Sequence, residues 1–131
     1  MRTKLLFGLF AGVLAAGLPV LAHHAFEAEF DSKRPVKLEG VVTNVEWINP
    51  HSWIHIDVKG TDGKVVPWMV ELGAPNTLLR RGWTKNSIPK GITLKVQGFQ
   101  AKDGSPRANG RHMTLPDGKD LFSGPGDEKE K

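Results

Sequence analysis

Between Val36 and Leu115, apolar and polar residues alternate in short runs that are separated by Gly, Pro, Asn or Asp. A period of two is typical of strands that bury one face, and the separating residues are those that form turns. This pattern predicts a chain made mainly of strands. The expected strands are residues 36–47, 52–59, 64–72, 92–101 and 110–115, with Leu121-Phe122 as a short extension.

Two positions in these runs predict irregular pairing. After Gly40 the apolar positions change phase, which predicts a bulge or a sharp coil within a long first strand. Pro67 lies inside the third run and has no N–H to donate. We therefore expect Pro67 where a neighbouring strand is absent or bulged.

One segment favours a helix. Pro75 suits a first helical turn, Arg80 and Arg81 suit the last turn, and Gly82 suits the position after it. Three strands, a short helix and two further strands predict an all-β fold, namely a five-stranded OB-like barrel with one short helix between strands 3 and 4. An SH3-like barrel and a small antiparallel sandwich are the alternatives.

The N-terminus has the pattern of an export signal. Arg2 and Lys4 precede the apolar stretch Leu5–Leu21, and Val20 and Ala22 suit the −3 and −1 positions of signal peptidase. We expect cleavage between Ala22 and His23 and a periplasmic or secreted protein without a stable membrane anchor. The alternative is an uncleaved anchor, for which a stretch of this length is at the lower limit.

Export changes the composition that matters. Removal of 22 residues leaves 109 of the 131, and with two of the 18 basic residues gone, 16 face 14 acidic residues, so the net charge falls from +4 to +2. Nucleic acid is therefore not an expected partner. The chain has no Cys, which excludes disulfides and thiolate metal sites.

The mature chain is expected to fold as one domain, since its length leaves little room for a second core. The predicted organisation is a signal peptide at 1–22, an N-terminal arm at 23–35, the OB-like domain at 36–122 and a disordered, charged tail at 123–131. Pro35 marks the end of the arm because it breaks any preceding helix.

Cleavage at the predicted site would create a metal-binding end. The α-amine and imidazole of His23 can chelate Cu(II), and a third nitrogen from His51, His55 or His112 would complete a histidine brace. The amine, an amide nitrogen and His24 form an alternative copper site. The competing interpretation is a solvated N-terminus without metal. Copper is the only cofactor that the sequence suggests.

A second candidate site lies on the expected outer face of the second and third strands. Trp53, His55, Met69 and Glu71 share that face, and His51 lies in the loop before it, where OB folds bind ligands. His51 and His55 are separated by about 13 Å in an extended strand, so they cannot share one ion. The alternatives are a half-exposed sheet histidine at His55 and a Trp53 that only covers the sheet.

The sequence contains none of the common catalytic motifs: there is no G-x-S-x-G, no H-E-x-x-H and no phosphate-binding glycine loop. Arg80 and Arg81 suit a solvated helix end better than an anion site. We therefore expect a non-enzymatic module that binds a small ligand or a periplasmic protein, with a periplasmic copper-binding protein as the alternative.

Five blocks of sequence carry a family resemblance, and the resemblance extends over essentially all of the mature chain. They are His23–Phe26, Glu46–Trp53, Glu71–Trp83, Ala101–Ser105 with Arg107–Asn109, and Leu115–Gly118. The chain resembles the uncharacterised small exported proteobacterial proteins of domain-of-unknown-function family 6152. The resemblance implies an exported single domain without an established activity. It also implies that Ser often stands at the position of Ala74, where it would cap the helix.

Overall fold

The structure is a computed structural model that describes residues 25–124. Within this range, residues 25–29 form a helical turn, α1, and a second short helix is α2 (Pro75–Arg80). The strands are β1 (Phe30–Glu46), β2 (Trp53–Lys59), β3 (Val65–Glu71), β4 (Thr93–Ala101), β5 (Arg107–Thr114) and β6 (Asp120–Phe122). The predicted signal peptide, His23, His24 and residues 125–131 lie outside the described residues.

The prediction of a mainly β chain is confirmed, and β2, β3, α2 and β4 begin and end within one residue of the expected positions. Two strands begin earlier than expected. β1 starts at Phe30 instead of Val36, and β5 starts at Arg107 instead of Gly110. The alternation missed the start of β1 because Pro35 suggested a break, whereas Pro35 pairs with Phe99 beside an irregularity in the ladder.

The six strands form one sheet in the order β3-β2-β1-β4-β5-β6, and an additional pairing joins β3 to β5. That pairing is parallel and runs through Met69–Arg107, Val70–Ala108 and Glu71–Asn109. All other pairings are antiparallel. The contact between β3 and β5 therefore closes five strands into a ring.

The long first strand serves two neighbours. It pairs with β4 as far as Val41, and with β2 from Gly40 onward. A Cβ on Gly40 would lie 2.6 Å from the backbone oxygen of Asp57, so only glycine fits where the strand passes between its partners. The predicted irregularity is present, but the ladder shifts two residues later, between Val42 and Asn44.

The prediction for Pro67 is also confirmed. Pro67 pairs with Asp57 on β2, whereas β3 meets β5 only from Met69 onward. Among the described residues, no strand lies on the second side of Pro67. The missing N–H therefore leaves no ladder incomplete at this edge.

The interior of the ring is apolar, and it contains the residues of β2 and β3 that lie opposite the predicted outer face, Ile54, Ile56 and Val70. Ile54, Ile56, Val70 and Leu94 have no exposed surface. Each buried side chain of this size stabilises the fold by about 1.5–3 kcal/mol relative to exposure. The core cluster also contains Val42, Leu72, Leu78, Trp83, Ile88, Val96, Met113 and Leu121, with Trp47 and Trp68 partly buried against it.

Helix α2 covers one end of this core. Leu78 is completely buried, and the Nε1–H of Trp83, just after the helix, donates to the backbone oxygen of Phe122 at 3.0 Å. Ala74 occupies the N-cap position and makes no side-chain capping bond. The helix therefore begins without the cap that Ser would supply at this position.

The chain beyond β6 is more ordered at its start than the predicted tail. Ser123 and Gly124 are buried; the Ser123 hydroxyl accepts from Gly73 N at 3.1 Å, and Arg81 donates to the backbone oxygen of Gly124. The sequence suggested a tail here because it cannot show that this segment passes over α2. Across residues 25–124, no helix has the length and apolar character needed to cross a membrane.

Candidate functional site

A continuous row of side chains crosses the outer face of the ring. The register places Trp53 of β2 beside Glu71 of β3, and Glu71 beside Asn109 of β5. Neighbouring strands lie about 4.8 Å apart, so the three residues form one short row. We call this row and its immediate neighbours the Glu71 face.

A second row lies one pleat away on the same side. His55 pairs with Met69, and Met69 pairs with Arg107. Met69 is exposed, while His55 and Arg107 are half-buried. The predicted ligand-binding residues on β2 and β3 therefore do share a face, and β5 adds two polar residues to it.

His51 reaches this face from the loop between β1 and β2. Ser52 N donates to Gly73 O at 3.1 Å, and Leu72 N donates to Ser52 O at 2.8 Å, so the end of the loop is fixed beside β3. His51 Nδ1 lies 3.1 Å from Glu71 Oε1. The side chain of His51 is 47% exposed.

Glu71 is the unusual residue of the face. Its place in the alternation is outward, yet it is only 8% exposed. Burial raises the pKa of Glu71 above its ordinary value and Glu29 adds to this effect, whereas His51 and Arg107 oppose it. A shielded carboxylate is costly to keep charged, and such groups are concentrated at functional sites.

Two polar atoms beside Glu71 have no hydrogen-bond partner among the described residues. They are Asn109 Oδ1, an acceptor, and Arg107 Nε, a donor, and both are buried. Buried polar groups are nearly always paired, and leaving one unpaired costs about 1–3 kcal/mol. The Glu71 face thus combines a shielded carboxylate with unsatisfied groups of both kinds.

Helix α1 lies beside this face. Phe26 stacks on Phe30 with ring centroids 5.8 Å apart and meets Phe99 edge-on at 5.9 Å. Glu29 Oε2 accepts from Arg107 Nη2 at 3.1 Å. The part of the predicted arm that the structure describes is therefore fixed against β4 and β5.

The described histidines each pair with a different carboxylate. His55 Nε2 lies 2.7 Å from Glu46 Oε2, and His112 Nδ1 lies 3.2 Å from Asp120 Oδ2. Within residues 25–124, no three His, Asp or Glu residues form a group that could hold a metal ion. The structure therefore does not bring His51, His55 and His112 together; the metal candidates His23 and His24 lie outside the described range.

Sequence reasoning missed Arg107, Asn109 and Glu29. Arg107 and Asn109 alternate with Ala108 and Gly110, and this pattern indicates a strand with a polar outer face. No local signal could have joined them to Glu71, because β3 and β5 are distant in sequence and meet only through closure of the ring.

The fold and this face define a small β domain with a polar, partly shielded site on its outer surface. A model of a family described as a family of unknown function, DUF6152, matches residues 11–110, and the chain belongs to that family. No curated protein and no solved structure matches this chain.

Proposed function

We propose that this protein is an exported, non-enzymatic binding module with an OB-like barrel, and that the Glu71 face binds its ligand. The ring closed by parallel pairing of β3 and β5 supports the barrel, as does the position of α2 between β3 and β4. OB folds bind ligands on the face of their second and third strands and on the adjoining loops. The apolar, signal-like residues 1–22 support export.

The observation that carries the proposal is the burial of Glu71 on the outward side of its strand. A structural role alone would be served by a polar residue that remains in water. A shielded carboxylate beside the unpaired Oδ1 of Asn109 is costly for the free protein, and a ligand that donates hydrogen bonds offsets this cost.

The neighbours of Glu71 complete the proposed small-molecule site. Trp53 supplies a flat, partly exposed aromatic surface, and Met69 supplies an adaptable apolar contact. His51, on the loop, can exchange its contact with Glu71 for a contact with the ligand. A few polar groups surrounded by apolar surface are typical of ligand sites.

The test is a titration of the mature protein with a panel of small carboxylates, amines and sugars. We expect a member to bind, and the substitution Glu71→Gln to weaken it by about tenfold, a loss of about 1.4 kcal/mol. Glu39→Gln, an exposed position on β1, is the control and should leave binding unchanged. Equal affinity for both variants, or turnover of the bound compound by metal-free protein, would contradict the proposal.

A second candidate function is copper binding by a histidine brace. His51 favours it, because Glu71 Oε1 lies 3.1 Å from Nδ1 and the imidazole side chain is 47% exposed, so Nε2 is the nitrogen left to bind a metal. Metal-binding imidazoles commonly have a carboxylate on their other nitrogen. His112, held by Asp120, is the alternative third ligand after His23.

Copper binding is tested on protein that has been exported and cleaved. Cu(II) should bind tightly to the chain that begins with His23, and an additional alanine ahead of His23 should abolish the site. His51→Ala should weaken binding, whereas Glu39→Gln, the control at an exposed position on β1, should not. The copper function is rejected if the extended chain binds Cu(II) as well as the native one.

A further inference from the structure

Arg107 and Glu29 form an ion pair at the edge of the Glu71 face. Arg107 Nη2 donates to Glu29 Oε2 at 3.1 Å, and the guanidinium carbon lies 5.8 Å from the ring centroid of Phe30. Both side chains are partly exposed, at 35% and 55%. Arg107 is therefore oriented by its neighbours and accessible from solvent at one side.

The pairing of Arg107 with Glu29 is incomplete. Arginine binds a carboxylate most strongly through two parallel hydrogen bonds, which two N–H groups of its planar guanidinium donate. Glu29 accepts from Nη2 alone, while Nε is buried and has no partner among the described residues. A carboxylate that engaged Nε as well as Nη2 would satisfy the guanidinium better than Glu29 does.

The surface next to Arg107 is rich in acceptors. Asn109 lies two residues further along β5 on the same side, about 6.6 Å away along the strand. Its Oδ1 has no hydrogen-bond partner within residues 25–124, and Glu71 is its register partner on β3. A molecule whose carboxylate meets Arg107 therefore finds two acceptors close by for an O–H or N–H donor.

Release of Glu29 from Arg107 requires little energy. An ion pair with both partners partly exposed contributes little to stability, because water screens the charges and two side chains must be ordered to form it. The backbone of α1 is held independently, by the Phe26 ring and by the bond from Lys102 N to Glu29 O at 2.9 Å. The carboxylate of Glu29 can therefore rotate away while α1 remains in place.

We infer that Arg107 is an anion-binding group, that the ligand of the Glu71 face is a small carboxylic acid carrying an O–H or N–H donor, and that Glu29 occupies the ligand carboxylate's place in the free protein. This inference rests on the proposed binding function of the Glu71 face and specifies its ligand class. Glu29 is thus an internal competitor for Arg107. A ligand carboxylate that fits the guanidinium better displaces the carboxylate of Glu29.

The experiment is a titration of the mature protein with glycolate and lactate, each compared with its carboxamide. Glu29→Gln should tighten carboxylate binding by about fivefold, since it removes a competing exposed pair. Glu27→Gln, an exposed position on the same helix, is the matched control and should have no effect. Arg107→Gln should abolish carboxylate binding, and Arg107→Lys should restore only part of it because lysine has no planar guanidinium.

Three results overturn the inference. They are the absence of carboxylate binding to Glu29→Gln, equal binding of acids and amides, and full binding by Arg107→Gln. Thermal unfolding of each variant is the control that checks whether the variant is folded. Binding of an amine or sugar that depends on Glu71 but not on Arg107 would leave the binding function intact and reject only the carboxylate ligand.

Discussion

Glu71 of β3 and Asn109 of β5 are register partners in the parallel pairing that closes the ring of strands. The same pair lies at the centre of the candidate site, where one carboxylate is shielded and one amide oxygen has no partner among the described residues. The pairing that closes the ring is therefore the same pairing that brings the candidate site together. A change that opens the contact between β3 and β5 should remove both.

Gly98→Ala should disrupt the pairing of β4 with β5, which is part of the ring. A Cβ at this position would lie 2.0 Å from the backbone oxygen of Asn109, and a backbone atom cannot move aside as a flexible side chain does. We expect a loss of about 3 kcal/mol or more in the free energy of unfolding, at or above the usual range for overpacking. Urea unfolding measures this loss.

Gly63→Ala is the control for that experiment. Gly63 has a φ of +80° and no atom within 4 Å of an added Cβ, so only left-handed backbone strain opposes the change. The expected cost is about 1–2 kcal/mol. If Gly98→Ala proves no more costly than Gly63→Ala, the close approach of β4 and β5 at Asn109 is wrong.

Leu78→Ala should detach α2 from the core. Leu78 is completely buried, and its removal leaves a cavity beneath the helix, with an expected loss of about 2–5 kcal/mol. The adjacent Leu79 is 51% exposed, so Leu79→Ala should cost less than about 0.5 kcal/mol. Comparable losses for the two variants would contradict the orientation of the helix.

Ala74→Ser should stabilise the protein. The N-cap position has φ −64° and ψ 148° and no capping side chain, and a serine hydroxyl there can accept from the first-turn N–H groups. We expect a gain of about 1 kcal/mol and a rise in Tm of about 4–8 °C. Ala74→Val, which has no acceptor, should give no such gain, and a valine variant as stable as the serine variant would argue against capping.

Glu71→Gln should change how stability depends on pH. Because the pKa of Glu71 is raised in the folded state by burial and by Glu29, the folded protein binds this proton more tightly than the unfolded chain. The associated stability is fully present below the unfolded pKa and is lost as the pH rises through the folded pKa. Removing the carboxyl should abolish this loss.

The measurement for Glu71 is Tm between pH 4 and pH 8, a range that starts near the ordinary glutamate pKa of 4.5 and extends in the direction in which burial raises the pKa of Glu71. Glu71→Gln should lose less stability than the native protein as the pH rises through weakly acidic values. Glu39→Gln, exposed on β1, should follow the native curve. A Glu71→Gln curve parallel to the native one would show that Glu71 is not shielded.

The sequence predicted the parts of this fold that depend on local periodicity. Alternation in β2 and β3 correctly assigned Ile54, Ile56 and Val70 to the interior, because each inward residue must leave water whatever the neighbouring strand is. The same alternation placed both Met69 and Glu71 on the outer face and predicted the same exposure for both. It could not separate the exposed methionine from the shielded carboxylate, since that difference comes from neighbours distant in sequence.

The missed features have the same cause. Pro35 suggested the end of an arm, but its pairing with Phe99 depends on where β4 lies. Arg107 and Asn109 join the Glu71 face only because β5 runs parallel to β3. Glu29 lies in α1 and Arg107 lies in β5, so their ion pair joins residues that are distant in sequence. No motif in the sequence indicates this pair.

The central claim is that the Glu71 face binds the ligand, and the most direct measurement is an NMR chemical-shift map of the mature ¹⁵N-labelled protein with the tightest binder of the small-molecule panel. The largest shifts should fall on the Trp53 indole N–H and on the amides of Met69, Glu71 and Asn109. Shifts centred instead on His112 and Phe122, at the β5–β6 pairing, would contradict it.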